Sequence, residues 1–184
     1  MENKPAKVLP NIGDLYANKD LVTKSTALSV LMNQQPSPNW IKEHPMTKLK
    51  YIPIEVIEFL LTSVFSSWKV EIKESKLIAN SIVVTVRLHY LDPITGVWEW
   101  QDGIGASPIQ TDKGAGATEF DKIKSAAVMM AAPAAETFAV KDAAEKLGKL
   151  FGKDLNRKDA LAYDSLIEAN NRRFKSFENE SGDI

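Results

Sequence analysis

In the middle of the chain the hydrophobic pattern changes to a period of two, and this change constrains the fold most. In "SIVVTVRLHYL" (81–91) every second residue is apolar, which puts on one face Ile82, Val84, Val86, Leu88 and Tyr90. "WKVEIKES" (68–75) alternates in the same way, and "VWEWQDGIGA" (97–106) follows after the turn sequence "DPITG" (92–96). In that turn the proline presets φ and the glycine accepts a positive φ. The pattern predicts three consecutive strands in an antiparallel meander.

Helical patterns flank this meander. "NKDLVTKSTALSVLMNQ" (18–34) has leucines on one side, and "PIEVIEFLLTSVF" (53–65) starts with a proline, which suits a first helical turn. The alanine-rich segment 118–152 contains Pro133, which either kinks one long helix or separates two. "ALAYDSLIEANNRRFKSF" (160–177) is a last amphipathic helix.

This order predicts an α+β fold: a helix, a three-stranded antiparallel β-meander, a long alanine-rich helix packed on the sheet, and a C-terminal helix. We expect an N-terminal segment (1–37) with a possible helix that serves oligomerisation or is flexible. The core follows over 38–158, and a C-terminal helix with an acidic tail over 159–184. Gly152 is the expected cap at the end of the alanine-rich helix.

Composition argues against several functional classes. The chain of 184 residues has a net charge of -1 and no cysteine, and it contains no apolar run long enough to span a membrane. Its N-terminus lacks a signal-peptide pattern, so we expect a cytoplasmic protein. The only histidines, His44 and His89, have no partner at a catalytic or metal-ligand spacing. The glycine-dotted stretch 103–118 matches no phosphate-binding motif. We therefore expect no enzymatic activity, no metal and no cofactor.

Basic residues are concentrated near the end of the alanine-rich helix. From residue 141 to 158 the chain has six basic and three acidic residues, a local excess of +3. On a helical wheel Lys146, Lys149 and Lys153 fall within about 60° of each other, opposite Leu147 and Phe151.

Two interpretations of this row remain open. The acid-to-base spacings 142–146 and 145–149 are typical of a helix face that is merely solvated. Alternatively the row, joined by Lys122, Lys124 and Arg157, follows a phosphate backbone. Trp98 and Trp100 share one face of the third strand, and we favour a place in the core or in a subunit interface over contacts with bases.

Several short motifs occur in the order of a known family. "KYIP" (50–53) leads into a helix, "VFSSWKVEI" (64–72) joins a helix to the first strand, and "DGIGA" (102–106) holds a glycine pair after the third strand. "AVKDAAEKLGKLFGKDLN" (139–156) closes the series with basic residues before Phe-Gly. Over residues 38–158 the chain resembles the Rad-fifty-two type of single-strand annealing protein, including its phage-encoded relatives.

The resemblance implies an ATP-independent protein that assembles into rings or helical filaments. Such proteins hold single-stranded DNA in an outer basic groove with the bases exposed for pairing. It implies recombination or repair in a bacterial host cytoplasm, and it suggests a single-strand-binding protein or an exonuclease as a partner. Lys146 and Lys149 match basic positions of the family's closing helix. Glu145 stands where the family often has a second basic residue, and "IEVIE" (54–58) lacks the basic position of that helix.

The predicted DNA-binding residues are therefore Lys122, Lys124, Lys146, Lys149, Lys153 and Arg157. The alternative function is a non-enzymatic oligomeric scaffold or assembly module that binds no nucleic acid.

Overall fold

The computed structural model describes residues 18–45 and 47–157, which form an α+β fold. The helices are α1 (Lys19–Met32), α2 (Ile54–Val64) and α3 (Ala127–Glu145), with 3₁₀ turns at Pro38–Trp40, Phe120–Lys122 and Lys149–Phe151. The strands are β1 (Lys42–Glu43), β2 (Lys50–Tyr51), β3 (Trp68–Ile78), β4 (Ser81–Leu91) and β5 (Trp98–Pro108). The predicted fold class is confirmed. The predicted C-terminal helix (160–177) and residues 1–17 lie outside the described residues.

The sheet is the predicted meander, in the order β3-β4-β5 with antiparallel pairing throughout. Its second hairpin closes at the predicted turn, where Asp92 Oδ1 accepts hydrogen bonds from the backbone N–H groups of Ile94 and Thr95 at 2.7 and 2.9 Å. Gly96 has a φ of 64°, the left-handed conformation for which glycine was expected. This turn fixes the register in which Leu91 lies opposite Trp98.

The buried face of β4 carries the predicted apolar residues. Ile82, Val84, Val86 and Leu88 are buried under α3, which packs over β4 and β5. Towards one end of the sheet the core continues into α2, where the Phe65 ring lies 4.6 Å from the ring of Tyr90 and 6.4 Å from that of Phe151, between centroids. The core is thus one continuous cluster between the sheet and helices α2 and α3.

Helix α3 touches β5 backbone to backbone. Gly103 and Gly105 face a row of small residues on α3, one helical turn apart, namely Ala135, Ala139 and Ala143. A Cβ at Gly103 would lie 2.8 Å from the Cβ of Ala143 and would overlap the carbonyl oxygen of Ala139. A Cβ at Gly105 would overlap backbone atoms of Ala135 and Ala139. The predicted glycine pair therefore serves close packing of helix on strand.

The course of α3 corrects the predicted limits of the alanine-rich helix. Residues 118–126 form turns, because Thr111 and Ile123 make an antiparallel bridge that ties this segment to the chain after β5. Pro133 lies inside one continuous helix. A proline has no N–H to donate, so the carbonyl group of Met129, four residues earlier, loses its intrahelical partner. Both Pro133 and Met129 are exposed, so this carbonyl lies on the solvent side of the helix. The helix ends at Glu145, seven residues before the predicted cap Gly152.

The two edges of the sheet differ. Among the residues that the structure describes, only β4 pairs with β3, so the outer edge of β3 is unpaired. That edge contains an irregularity in the register between Ile72 and Glu74. Along the edge of β5, in contrast, side chains of α3 contact the backbone.

No helix within 18–45 and 47–157 has the length and apolar character needed to cross a membrane.

The packing of α3 on β5 yields a first prediction. Gly105→Ala is expected to lower the free energy of unfolding by about 1–3 kcal/mol or more, because the added methyl group forces the helix away from the strand. Gly116→Ala is the matched control, since its Cβ would come no closer than 3.4 Å to a side-chain oxygen of Glu119. Urea unfolding of both variants measures the difference. Equal stability of the two would contradict the close contact.

Candidate functional site

The segment after α3 does not continue the predicted lysine row. At Gly148 the chain approaches the carbonyl oxygen of Met32 so closely that a Cβ would overlap it. A 3₁₀ turn over Lys149–Phe151 follows, and Gly152 ends that turn with a φ of 104°. The prediction of one exposed helical face is therefore wrong. Lys149 is buried with 4% of its surface exposed, so it is the one predicted contact that the described structure withdraws from the surface.

Lys146 lies on the edge of β5. Its ammonium group donates a hydrogen bond to the backbone carbonyl of Asp102 and another, at 3.0 Å, to Asp142 Oδ2. The same Asp142 oxygen accepts a hydrogen bond from the backbone N–H of Ile104 at 3.1 Å. The predicted helix pair 142–146 therefore exists, and in addition it satisfies backbone groups that no neighbouring strand pairs.

Asn156 fixes the chain beyond Gly152. Its side-chain amide accepts a hydrogen bond from the backbone N–H of Lys50 and donates one to the carbonyl of Lys50, both at 2.8 Å. The amide thus imitates one residue of a neighbouring strand on the edge of β2. This pairing places Lys153 and Arg157 beside the end of α3.

An open cleft of about 410 Å³ lies between the end of α3 and this segment. Its lining includes three cations and three carboxylates, from Asp142, Glu145, Lys146, Lys153, Asp154 and Arg157. Arg157 is 73% exposed at its side chain, and its Nε lies 3.0 Å from Oδ1 of the nearly buried Asp154. Within 18–45 and 47–157 no carboxylate forms an ion pair with Lys153. The cleft therefore presents Lys153 together with the exposed part of Arg157, whose Nε pairs with Asp154.

Lys122 and Lys124 are at the other end of α3. The helix has 19 residues, so roughly 28 Å separates its two ends. Lys122 forms an ion pair with Glu119 at 2.8 Å, and this hydrogen bond lowers the pKa of the Glu119 carboxyl, assisted by the backbone N–H of Gly116. Lys124 is exposed, and its backbone N–H donates to the carbonyl of Gln110. The structure brings together three of the six predicted cations, while these two lie apart from them.

The face of the sheet opposite α3 is open and carries both tryptophans of β5. Trp98 and Trp100 are 46% and 50% exposed, so of the two expected places, the core and a subunit interface, the core is excluded and the interface stays a prediction. The guanidinium carbon of Arg87 lies 3.8 Å from the centroid of the Trp100 ring. The ammonium nitrogen of Lys69 lies 5.4 Å from that of Trp98. Both distances are in the range of cation–π attraction.

Ion pairs continue across this open face. Arg87 donates two hydrogen bonds to the Asp102 carboxylate at 2.7 and 2.8 Å, which lowers the pKa of Asp102 and raises that of Arg87. Glu71 accepts from Lys73 and contacts His89 Nε2, both at 3.0 Å. The hydrogen bond with His89, followed by that with Lys73, lowers the pKa of Glu71. On α3, partial burial lowers the pKa of Lys141, whose ammonium nitrogen lies 4.7 Å from the centroid of the Tyr51 ring.

The histidines take part in local contacts. His44 Nδ1 accepts a hydrogen bond from the backbone N–H of Thr47 at 3.2 Å, and His89 contacts Glu71 as described above. Within the described ranges no three His, Cys, Asp or Glu residues are grouped as a metal site would require. No protein-family model matches the chain, and no curated protein matches it.

The role of Asn156 leads to a second prediction. Asn156→Ala removes both hydrogen bonds to Lys50, and we expect a loss of about 1–2 kcal/mol in stability or in local protection. Faster hydrogen exchange at the Lys50 amide is the specific readout. Asn33→Ala is the control, because the Asn33 side chain donates to the Ser29 carbonyl of its own helix end. If the Lys50 amide exchanges at the same rate in both variants, Asn156 does not hold the segment.

Proposed function

We propose that the protein binds single-stranded DNA and anneals complementary strands without ATP, as a homo-oligomer acting in phage recombination or repair. The observation that carries this proposal is the convergence of Lys146, Lys153 and Arg157 on one open cleft at the end of α3. Annealing requires a charged track that holds phosphates without reading bases, and it needs no general base or metal.

The arrangement of elements also supports this proposal. The helix, meander, glycine pair and long helix occur in the order that the annealing family implies. Gly103 and Gly105 pack against α3, so their role is structural and they need not form a nucleotide-binding loop. Lys146 is bonded to Asp102 and Asp142, and Lys149 is buried. Lys153 and Arg157 therefore take the main role in the proposed track, since Arg157 pairs with Asp154 only through Nε and keeps 73% of its side chain exposed.

A scaffold without nucleic-acid binding is the second candidate, and one observation favours it. Three of the predicted DNA-binding cations form short ion pairs along the chain, Lys122 with Glu119, Lys146 with Asp142 and Arg157 with Asp154. The cleft as a whole has equal numbers of cations and carboxylates. A scaffold predicts no salt-sensitive binding of oligonucleotides, so the two candidates differ in a direct measurement.

The third prediction concerns the wild-type protein. If three cations of each protomer displace counterions, the slope of log affinity against log salt is about −2, so a fourfold rise in salt weakens binding to single strands roughly 20-fold. Fluorescence anisotropy with a labelled oligonucleotide at about 50 and 200 mM salt measures this. The same protein should anneal complementary strands in nucleotide-free buffer. Binding that ignores salt, a preference for duplex, or annealing only with ATP would contradict the proposal.

The fourth prediction assigns the track. Lys153→Ala combined with Arg157→Ala should weaken binding and make the salt slope shallower by about 1.4, or 0.7 for each lost phosphate contact on a single strand. Lys153 is half-buried and Arg157 pairs with the nearly buried Asp154, so we also expect a loss of about 1 kcal/mol in the free energy of unfolding, which urea unfolding measures beside the binding.

The control neutralises Lys4 and Lys7, which lie outside the described residues and carry the same total charge. It should leave the slope unchanged. If the control variant loses as much affinity as the cleft variant, net charge governs binding and the cleft is not the track. The pair Lys146→Ala and Lys149→Ala is unsuitable for this purpose, because one lysine bonds the β5 edge and the other is buried.

A further inference from the structure

We infer that Trp98 and Trp100 form a base-stacking platform for the same single strand whose phosphates the cleft would hold. This inference rests on the proposed function and extends it from the backbone of the strand to its bases. We call these two rings, with Lys69 and Arg87 beside them, the tryptophan platform. It lies on the open face of the sheet, where each ring has close to half of its surface exposed.

Asp102 connects the platform to the cleft. Its carboxylate lies on the open face, where it holds Arg87 against the ring of Trp100. Its backbone carbonyl lies on the edge of β5, where it accepts the hydrogen bond from Lys146 of the cleft. Trp100 is two residues from Asp102, a distance of roughly 7 Å along a strand. A nucleotide chain that passes the β5 edge can therefore contact cations of the cleft and rings of the platform.

The chemistry of the platform fits nucleotides. Every base has a π-face, so stacking on an indole ring gives affinity without sequence preference. The two rings are two residues apart on one face of a strand, about 7 Å, so each would take a separate base. Stacking uses the faces of the bases and leaves their hydrogen-bonding edges free. A protein that anneals strands needs those edges free for pairing.

The neighbours of the rings favour nucleic acid over a second copy of this chain. The two rows of the open face nearest to Trp100 run Lys69–His89–Trp100 and Glu71–Arg87–Asp102 across the three strands. Apart from the indole, these side chains are charged or polar. Charged residues are depleted from the cores of protein–protein interfaces, whereas aromatic rings alternating with cations are typical of surfaces that bind single strands.

The test compares three variants of the full chain: Trp98→Leu with Trp100→Leu, Trp98→Phe with Trp100→Phe, and Ile104→Ala as the control. Ile104 lies on the same face of β5 and is 59% exposed, but it has no aromatic ring. Affinity for a labelled thymidine oligonucleotide is measured at two salt concentrations, and particle mass by light scattering. One lost stacking contact weakens binding by about 5- to 100-fold. We therefore expect the leucine variant, which loses two rings, to bind at least about 5-fold more weakly than the wild type. The phenylalanine variant should recover most of that loss, and the control should match the wild type.

The salt slope separates the platform from the cleft. Because the rings contact bases, the leucine variant should keep the slope of the wild type. The wild type should bind a strand with abasic sites more weakly than a normal strand. For the leucine variant this difference should be much smaller, because that variant has no ring on which a base could stack. Quenching of tryptophan emission by the oligonucleotide provides a readout in the unmodified protein, independent of how the variants fold.

Each remaining outcome would overturn the inference. If the wild type binds no single strand, the proposed function fails and the platform fails with it. If the wild type binds and the leucine variant binds equally well, the cleft proposal stands and the platform is wrong. If the leucine variant instead changes the particle mass with unaltered affinity for abasic and normal strands, the rings contact a second copy of the chain.

Discussion

The contact between the backbone of β5 and the small residues of α3 determines the geometry of the rest of the molecule. Gly103 and Gly105 permit it on the strand, and Ala135, Ala139 and Ala143 permit it on the helix. Because no side chain separates the two backbones, Asp142 and Lys146 reach the edge of β5 with their polar ends. Larger residues at the glycines would move the helix outward and would remove these bonds together with the wall of the cleft.

The cleft is consequently a product of tertiary contacts at both of its sides. On one side the position of α3 sets Asp142 and Lys146. On the other, the Asn156 amide holds the chain end to β2, far away in sequence. The cations of the cleft differ in their surroundings, because Asp102 and Asp142 hold Lys146 at the edge of β5. Lys153 and the largely exposed Arg157, whose Nε pairs with Asp154, form the second group. In the annealing function that we propose, the second group would meet phosphates and the open face of the sheet would meet bases.

Sequence patterns predicted the elements of this fold better than they predicted the surroundings of individual side chains. The alternation in β4 correctly predicted the buried face from Ile82 to Leu88, with Tyr90 half-buried at its end, because alternate side chains of a strand point to opposite faces of the sheet. The helical wheel failed for Lys149, since it assumed a helix that in fact ends at Glu145. Beyond that end, Gly148 lies against the Met32 carbonyl, a long-range contact that no local pattern shows. The sequence did contain the information to pair Arg87 with Asp102. The "DPITG" turn sets Leu91 opposite Trp98, and counting back along both strands from there puts Arg87 opposite Asp102.

The unequal edges of the sheet have a consequence for how copies of this protein associate. A strand can be extended by another molecule only where its backbone groups are unpaired, and on β5 the middle of the edge is already occupied by Asp142 and Lys146. Within the meander the described residues leave the outer edge of β3 unpaired, and two copies that joined at this edge would use up the β3 edge of both. In the homo-oligomer that we propose, the meander of one copy would therefore extend into the meander of at most one other copy. A ring or filament of that kind would grow through side-chain surfaces, and it would open around a bound strand without breaking a β-ladder.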